Sequence, residues 1–519
     1  MKVGFHQHYL ACVEEIEQRF PVADWRCGDL EIWPIARMDL YLDMYWQNAG
    51  TTALAIGRVR RALQHACVPA TNIWRRRNDL RHHRQWPRKA DAIFLGDGVS
   101  LDCIDGAWQD RYSEPLIATI EKKGRPCFLM QPGDLRHMPW HRDTFPANTV
   151  DAVGHALAPF CGRSIAVQAL PEVQAFLDRN GIAAPSFSQS RLSWRANIVR
   201  ATATVFERVL DKVQPRTAFV TTWYAGLAPA FLLACRRRGI LSVDLQHCPQ
   251  GGRHKAYTWR ALPQTGYKCL PAIFWTWTAE EAAHTQSWAR SSRWHRAVHG
   301  GHPRLAARSH NNGPSVADWD ERFAQSGVGG CYDRDILVAL QTVQGTQDVW
   351  RQLAEEIADS PPSWRWWIRR HPAAREADDQ MYAELLALRR PNIRIEEASR
   401  LPLWVLLPRM SAVVSFCSGV TAEAVAAGVP ALFLGADATG PFGDLIESQQ
   451  ASVCDVHALP SAIANLPARS TPVFPNAPRM QDTLGMLDGM ASDYARMCRS
   501  QKQTHRPPNE LCGAIGGRA

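Results

Sequence analysis

The segments WWIRRHP (366–372) and AVVSFCSGVTAEAVAAGVPALFLG (412–435) decide the fold of this chain. In the second segment, the apolar run from Ala412 to Phe416 predicts a buried strand. The strand breaks at Cys417-Ser418-Gly419, and a helix follows. Serine is a preferred residue for the N-cap of a helix. The unpaired N–H groups and the positive dipole end of this helix predict an anion site.

Basic residues end the strand of the first segment, which begins its buried run at Trp364. The carboxyl ends of parallel strands meet at one edge of a sheet, and nucleotides bind at that edge. A glutamate about one turn into the following helix could accept hydrogen bonds from a ribose. The residues predicted to hold the phosphates and ribose of a nucleotide are Arg369, Arg370, His371, Ser415, Ser418, Gly419 and Glu423. This layout is typical of a nucleotide-sugar transferase.

The size and composition of the chain are those of a globular protein with several domains. Its 519 residues are enough for two or three domains with large cores. A formal net charge of +9 favours acidic partners such as nucleotides, anionic glycans or lipid head groups. The 14 cysteines include no CxxC pair, which argues against a zinc ribbon or redox motif. Glu14, Glu15 and Glu17 stand where a signal peptide needs an apolar core, so we expect reduced thiols in the cytoplasm.

The segment from Ala218 to Cys235 has two interpretations. It is close to the lower length limit for a membrane span and is followed by three arginines. Alternatively, it is a buried strand, a turn at Gly226 and a helix from Leu227 to Arg238, after which Ile240 to Leu245 form another strand. The threonines, the glycine and the proline within the segment favour the second interpretation.

Apolar runs alternate with amphipathic segments of helix length along most of the chain, which predicts parallel α/β sheets. The alternation stops in a stretch rich in glycine, serine and asparagine and then starts again at Asp335. We therefore expect an α/β fold of two Rossmann-like domains facing each other across a cleft. The predicted boundaries are an N-terminal acceptor-side domain at 1–304, a linker at 305–330, a C-terminal nucleotide-sugar domain at 331–498 and a disordered tail at 499–519.

Several short motifs resemble those of GT-B glycosyltransferases. RRHP at 369–372 is similar to the element of bacterial sialyltransferases, polysialyltransferases and Kdo transferases, which use CMP-activated sugars. The segments 106–124, 243–259 and 269–278 resemble bacterial surface-carbohydrate (capsule and O-antigen) biosynthesis proteins, so the resemblance covers roughly residues 90–455. Cys248 stands where that family has glycine, and Ala272 where it often has aspartate. The cysteine puts the conformation of its loop, or the activity, in doubt.

The resemblance implies transfer from a nucleotide sugar, whose leaving phosphate must be neutralised. Cations and helix N–H groups suffice for this, and HExxH is absent, so we expect a metal-independent enzyme with no cofactor. His371 would donate to the phosphate or act as general acid, and Arg394 lies in a segment that would face the base of the nucleotide. The acceptor hydroxyl needs a general base from the N-terminal domain. The candidates are His247 and then Asp97, with His254 and Tyr257 on the acceptor side.

His247 and the basic stretch from Trp74 to Lys89 each have a second interpretation. His247 could equally hold the Gly251-Gly252 turn by a hydrogen bond, and the basic stretch from Trp74 to Lys89 is better interpreted as a solvated surface than as a glycan or membrane patch.

We expect a cytoplasmic transferase that binds a nucleotide-sugar donor and a glycan or glycolipid acceptor, with no nucleic acid. It would work at the inner face of the inner membrane, with room for peripheral membrane contact. The alternatives are a CDP-glycerol-type polyol-phosphate transferase, a nucleotide-sugar epimerase or a non-catalytic scaffold in polysaccharide assembly.

Overall fold

The computed structural model describes residues 4–48, 88–133, 139–305, 332–341, 347–371, 382–388, 390–466 and 479–504, together with Trp319, Glu321 and Phe323. The strands of the N-terminal half are β1 (Arg26–Cys27), β2 (Leu30–Glu31), β3 (Ala92–Leu95), β4 (Leu101–Ile104), β5 (Ala107–Asp110), β6 (Cys127–Gln131), β7 (Thr144–Pro146), β8 (Ile165–Ala166), β9 (Thr217–Thr221), β10 (Leu241–Leu245), β11 (Ile273–Thr276) and β12 (Arg296–His299). Its helices are α1 (Phe5–Arg19), α2 (Trp33–Asn48), α3 (Ser113–Glu121), α4 (Asn148–Leu157), α5 (Leu170–Arg179), α6 (Gln189–Val213), α7 (Ala228–Arg238) and α8 (Ala279–Ala289).

The C-terminal half continues the same alternation. Its strands are β13 (Arg334–Ala339), β14 (Trp364–Arg369), β15 (Ile393–Arg394), β16 (Ala412–Ser415), β17 (Ala431–Leu434) and β18 (Ala451–Cys454). Its helices are α9 (Gln347–Asp359), α10 (Ala383–Ala387), α11 (Glu396–Arg400), α12 (Leu403–Leu406), α13 (Gly419–Ala426), α14 (Gly443–Glu447), α15 (Leu459–Ala464) and α16 (Met480–Thr504). The predicted linker, apart from a few residues, and most of the basic stretch from Trp74 to Lys89 lie outside the described residues.

Each half is built on one large parallel sheet. The N-terminal sheet has the order β12-β11-β10-β9-β3-β6-β7, and the C-terminal sheet has the order β15-β14-β13-β16-β17-β18. Numbered along the chain within each sheet, the strands follow the 3-2-1-4-5-6 order of a doubly wound fold, with one more strand in the N-terminal sheet. The order reverses between β3 and β9 in one sheet and between β13 and β16 in the other. The expected fold of two Rossmann-like α/β domains is therefore confirmed.

The segment from Ala218 to Cys235, for which the sequence allowed either a membrane span or a strand and a helix, belongs to a βαβ unit. Strand β9 pairs in parallel with β10, and α7 between them is buried. Helix α7 ends at Gly239, whose φ of 71° lies in the left-handed region that glycine adopts without strain. Among the residues that the structure describes, we find no helix with the length and apolar content needed to cross a bilayer.

The last helix corrects the predicted domain boundaries, because α16 packs on the N-terminal sheet although it follows the C-terminal one. Its buried residues share a core with Phe94, Val243 and Trp294. Asp488 of α16 accepts two hydrogen bonds from Arg125, at 2.6 and 2.8 Å. The chain therefore returns to the first domain after β18. The helix also continues to Thr504, so the first residues of the predicted tail are helical, whereas residues 505–519 lie outside the described part.

This packing predicts that α16 stabilises the N-terminal domain. Leu487 is buried in the shared core and its neighbour Met486 is 45% exposed. We expect Leu487→Ala to lower the free energy of unfolding by about 2–5 kcal/mol, since it leaves a cavity. Met486→Ala should change it by less than about 0.5 kcal/mol. Urea denaturation measures both values. Hydrogen exchange should show faster opening in the N-terminal sheet; faster exchange confined to the C-terminal sheet would contradict the assignment.

Candidate functional site

The carboxyl edges of the two sheets face each other across a cleft. The cleft opens to solvent and has a cavity volume of about 120 Å³, which is smaller than the roughly 300–1,000 Å³ of a typical small-molecule site. Its walls come from both domains: Val99, Ser100, Arg111, Tyr112 and His247 from the N-terminal half, and Ala339, Leu340, Arg369, Arg370, His371, Ser418, Gly419, Val420 and Glu423 from the C-terminal half. The C-terminal wall lies at the reversal between β13 and β16, where ligands bind in doubly wound sheets.

The start of α13 forms one part of this wall. The Ser418 side chain accepts a hydrogen bond from the Val420 N–H at 3.3 Å and so caps the helix. Ser415 lies below the turn, 1% exposed; its Oγ accepts from the Ser418 N–H at 3.4 Å and is 2.7 Å from the Thr421 Oγ1. The Gly419 N–H has no hydrogen-bond partner among the described residues. A donor at the positive end of the helix therefore remains for an anion.

The residues after β14 have different roles. Arg369 is buried, and its Nη1 donates to the carbonyls of Ala398 and Leu401, both at 2.6 Å. Burial and the nearby Arg111 lower the pKa of Arg369 to about 10, so it stays cationic at neutral pH. Arg370 is exposed at the cleft, and His371 lies beside it. Arg369 therefore holds α11 in place, whereas Arg370 and His371 are the groups that a ligand can reach.

Glu423 belongs to a buried network that joins the domains. Its Oε1 accepts a hydrogen bond from the Tyr112 hydroxyl at 3.2 Å and lies 3.6 Å from the Arg111 Nη1, while its Oε2 lies 3.5 Å from the His302 Nε2. Burial by itself raises the pKa of Glu423, but the nearby His302 imidazole and the Arg111 charge outweigh it and hold the pKa below the usual value. Glu423 is 3% exposed. A ribose could bind these oxygens only if the N-terminal residues withdrew.

Asp102 completes the network. It accepts hydrogen bonds from the Arg111 Nε and Nη2 at 3.3 and 3.2 Å, and it lies 4.0 Å from the Arg369 Nη2. Arg111 thus bridges two buried carboxylates, one from each domain. The network residues Asp102, Arg111, Tyr112 and His302 were not predicted from the sequence. Arg111 and Tyr112 lie in a segment that resembles surface-carbohydrate proteins, but no pattern in it indicated an interdomain contact.

His247 is the imidazole that the N-terminal domain presents to the cleft. Its Nε2 lies 3.3 Å from the Tyr224 hydroxyl and 3.4 Å from the Cys248 Sγ. Its Nδ1 is buried and has no hydrogen-bond partner among the described residues. Burial lowers the pKa of His247 to about 4, against an opposing effect of Asp97, so the imidazole is neutral at pH 7. A neutral ring with one unused nitrogen can accept a proton.

Asp97 shapes the turn after β3. Its Oδ1 accepts from the Val99 and Ser100 N–H groups at 2.8 and 2.7 Å, and its Oδ2 accepts from the Ser100 hydroxyl at 2.8 Å. Val99 and Ser100 in turn line the cleft. Both oxygens of Asp97 are therefore engaged, and its effect on the cleft is the charge it exerts on His247. This makes Asp97 the weaker of the two predicted bases.

Three other predicted site residues lie away from the cleft wall. Tyr257 is fully buried, and its hydroxyl donates to Asp244 at 2.7 Å. His254 is buried, with its Nδ1 accepting from the Ala256 N–H and its Nε2 3.4 Å from the Cys248 Sγ. Arg394 lies on the edge strand β15, and its Nη1 donates to the carbonyls of residues 391 and 393.

Two DxD triplets occur in the chain, and the one that the structure describes does not lie at the cleft. Asp333-Arg334-Asp335 is at the amino end of β13, opposite the carboxyl edge, where Asp335 accepts from Arg365 at 2.5 Å. The other triplet, at 318–320, falls outside the described residues except for its tryptophan. Among the described residues, the polar groups that line the cleft are arginine, histidine, serine, tyrosine and glutamate side chains and the start of α13.

No protein-family model and no curated protein sequence matches this chain. Its structure is similar to glycosyltransferase SnogD from Streptomyces nogalater, with a TM-score of 0.38, 13% identity and coverage of 80% of this chain and 99% of that one. It is also similar to the UDP-GlcNAc 2-epimerase from Neisseria meningitidis bound to UDP-GlcNAc (TM-score 0.42, 12% identity, coverage 80% and 100%). A putative UDP-N-acetylglucosamine 2-epimerase from Listeria monocytogenes gives a TM-score of 0.43, 12% identity and coverage of 78% and 90%. Similarity at this level decides neither substrate nor reaction.

Proposed function

We propose that this protein is a glycosyltransferase that moves a sugar from a nucleotide-sugar donor to a glycan or glycolipid acceptor. One observation carries the proposal. The unpaired Gly419 N–H at the start of α13, the basic pair Arg370 and His371, and the neutral imidazole of His247 line one cleft between two doubly wound sheets. The first three groups suit a phosphate, and the imidazole comes from the opposite domain, where an acceptor would enter.

The reaction uses each group once. The acceptor hydroxyl loses its proton to the His247 Nδ1 as its oxygen bonds to the anomeric carbon of the donor. The bond between that carbon and the phosphate oxygen breaks, and the nucleotide leaves with the electron pair. The Gly419 N–H and the Arg370 guanidinium stabilise the charge on the leaving phosphate, and His371 donates a hydrogen bond or a proton to it. No metal is required in this scheme.

The sequence motifs also favour a particular biological role for the proposed transferase. The resemblance of 106–124, 243–259 and 269–278 to surface-carbohydrate proteins supports a role in bacterial capsule or O-antigen synthesis, in the cytoplasm at the inner face of the inner membrane. In this arrangement Glu423 closes the domains rather than binding ribose. It would meet the ribose only after Tyr112 and Arg111 have moved.

Nucleotide binding tests the donor half of this proposal. Calorimetry with CMP, CDP, UDP and GDP should find at least one ligand. We expect Arg370→Gln to weaken it about 10- to 100-fold, because a charge-assisted hydrogen bond contributes about 1.5–3 kcal/mol. Arg400→Gln, which removes an exposed arginine from α11, is the control and should leave the affinity unchanged. Absence of binding by all four nucleotides would sink the donor assignment.

Product analysis separates the remaining alternatives. A transferase releases free nucleotide, and the sugar appears on an acceptor. An epimerase of the same architecture would return an altered sugar nucleotide without any acceptor. A scaffold, which the cysteine at 248 would favour, would bind nucleotide weakly or not at all, and His371→Ala would leave the polysaccharide of the cell unchanged.

A further inference from the structure

A strained turn lies at the reversal point of the N-terminal sheet, directly after β9. Thr222 has a φ of 64°, which is uncommon for a β-branched residue and costs about 1–2 kcal/mol. The turn is held by Asp244, whose Oδ1 accepts from the Trp223 N–H at 3.0 Å, and by the Ala225 N–H, which donates to the Thr222 carbonyl at 3.1 Å. Its effect is to place the Tyr224 hydroxyl against His247. Backbone strain of this kind is concentrated at active sites and binding sites.

Lys255 lies beside this turn without an anion. Its Nζ is 4.7 Å from the centroid of the Tyr41 ring and 5.4 Å from that of Tyr224. Its Nζ forms no hydrogen bond or ion pair with any residue that the structure describes. Lys268 of the same domain, by contrast, pairs with Glu31 at 3.1 Å.

The groups that face Lys255 do not neutralise it. Burial lowers the pKa of the Lys255 ammonium, and the charges that act on it most come from the thiols of Cys248 and Cys417. Burial raises the pKa of Cys248 to about 12, so that thiol is protonated at pH 7. His6, His247 and His254 all have lowered pKa values, first through burial and further through the Lys255 charge. The half-buried ammonium therefore has no anion beside it among the described residues and is available to pair with the anion of a ligand.

We propose that Lys255 binds a carboxylate or phosphate group of the acceptor and so brings the acceptor hydroxyl to the His247 Nδ1. This inference rests on the proposed transferase function and adds that the acceptor is anionic. Tyr224 links the two groups, since its hydroxyl contacts His247 and its ring lies under the Lys255 ammonium. Lys255, Tyr224 and His247 all belong to the N-terminal domain, whereas the arginine, histidine and helix start proposed to receive the donor belong to the C-terminal domain.

The test uses the full chain saturated with whichever nucleotide binds it, so that the donor site is occupied. Glucuronic acid supplies the carboxylate, glucose 6-phosphate supplies the phosphate, and glucose is the neutral probe. We expect at least one acidic probe to bind, as measured by calorimetry, and glucose not to bind. Which of the two acidic probes binds more tightly distinguishes an acidic glycan from a phosphorylated acceptor.

Lys255→Met keeps the length of the side chain and its packing on the two rings but removes the charge. We expect it to weaken the acidic probe at least 10-fold, and Lys255→Arg to restore most of the affinity. Lys123→Met removes an exposed lysine and serves as the control. In a second measurement, the probe should protect Lys255 from trinitrobenzenesulfonate, detected by peptide mass spectrometry. Equal probe affinity in the wild type and Lys255→Met, or no protection, would overturn the inference.

A measurement of nucleotide affinity distinguishes failure of the anionic-acceptor inference from failure of the proposed transferase function. Lys255→Met should bind nucleotide as the wild type does, because the donor groups are unchanged. Absence of nucleotide binding in the wild type would count against the transferase itself. Intact nucleotide binding with probe affinity independent of Lys255 would count only against the anionic acceptor.

Discussion

Replacing Arg111 by methionine is expected to reduce the free energy of unfolding of the closed two-domain state by about 3–5 kcal/mol. The substitution removes the cation that bridges Asp102 and Glu423, at 3.2 and 3.6 Å, and leaves the two carboxylates in a buried place. Removing one partner of a buried ion pair lowers the free energy of unfolding by more than the intact pair adds to it, because the remaining charge is neither paired nor solvated. Urea denaturation at pH 7, followed by tryptophan fluorescence, measures the loss.

The loss should depend on pH in a defined direction. Burial by itself raises the pKa values of Asp102 and Glu423, but Arg111 and other neighbouring groups outweigh it and hold both below the ordinary values of 3.8 and 4.5. A carboxyl whose pKa is lower in the folded state contributes stability above its unfolded pKa and loses it as pH falls through the folded pKa. The difference between wild type and Arg111→Met should therefore be largest near neutral pH and shrink below about pH 4.

An exposed arginine supplies the control. Arg351 pairs with Glu355 on the surface of α9 at 3.1 Å, and its side chain is 46% exposed. Arg351→Met should change the free energy of unfolding by less than about 0.5 kcal/mol at any of these pH values. If Arg111→Met behaved like Arg351→Met, the buried network would not be what holds the domains together.

Local patterns in the sequence predicted the sheets well. The strand and helix at 412–426 and the βαβ unit at 217–245 lie within three residues of their expected bounds. Both segments are apolar runs separated by glycine, serine or threonine, so the signal is contained in a few neighbouring residues. The same reasoning found the turn at Ser418 and Gly419 and the basic residues after β14, since the carboxyl edge of a parallel sheet follows from strand order.

Contacts between distant segments could not be predicted in this way. Arg111 and Tyr112 directly follow the hairpin of β4 and β5, and their partner Glu423 is 311 residues from Tyr112 along the chain. A glutamate one turn into a helix gives the same sequence pattern whether its side chain contacts a ribose or an arginine. The return of α16 to the first sheet has the same cause, since an amphipathic helix does not specify which apolar surface it covers.

The substitution of His247 by glutamine is expected to slow release of nucleotide from the donor by about 10²- to 10⁴-fold, the usual contribution of a general base. Glutamine retains a polar group for the Tyr224 hydroxyl but cannot take up a proton from the acceptor. Nucleotide affinity should remain unchanged, because the residues proposed to bind the phosphates belong to the C-terminal wall of the cleft. Steady-state release measured by chromatography, beside calorimetric affinity, separates the two effects. His457→Gln removes an imidazole whose side chain is 62% exposed and should leave both unchanged.

The pH profile gives a sharper test of the same residue. Burial lowers the pKa of His247 to about 4; Asp97 opposes this and Lys255 adds to it. The acid limb of kcat/KM, which reports the free enzyme, should therefore lie near pH 4, with the rate rising as the imidazole loses its proton. A bound donor brings phosphate charge into the cleft, which favours the protonated ring, so the acid limb of kcat should lie at higher pH. His247→Gln should lack this limb altogether. An unchanged limb in His247→Gln would assign the base to another group.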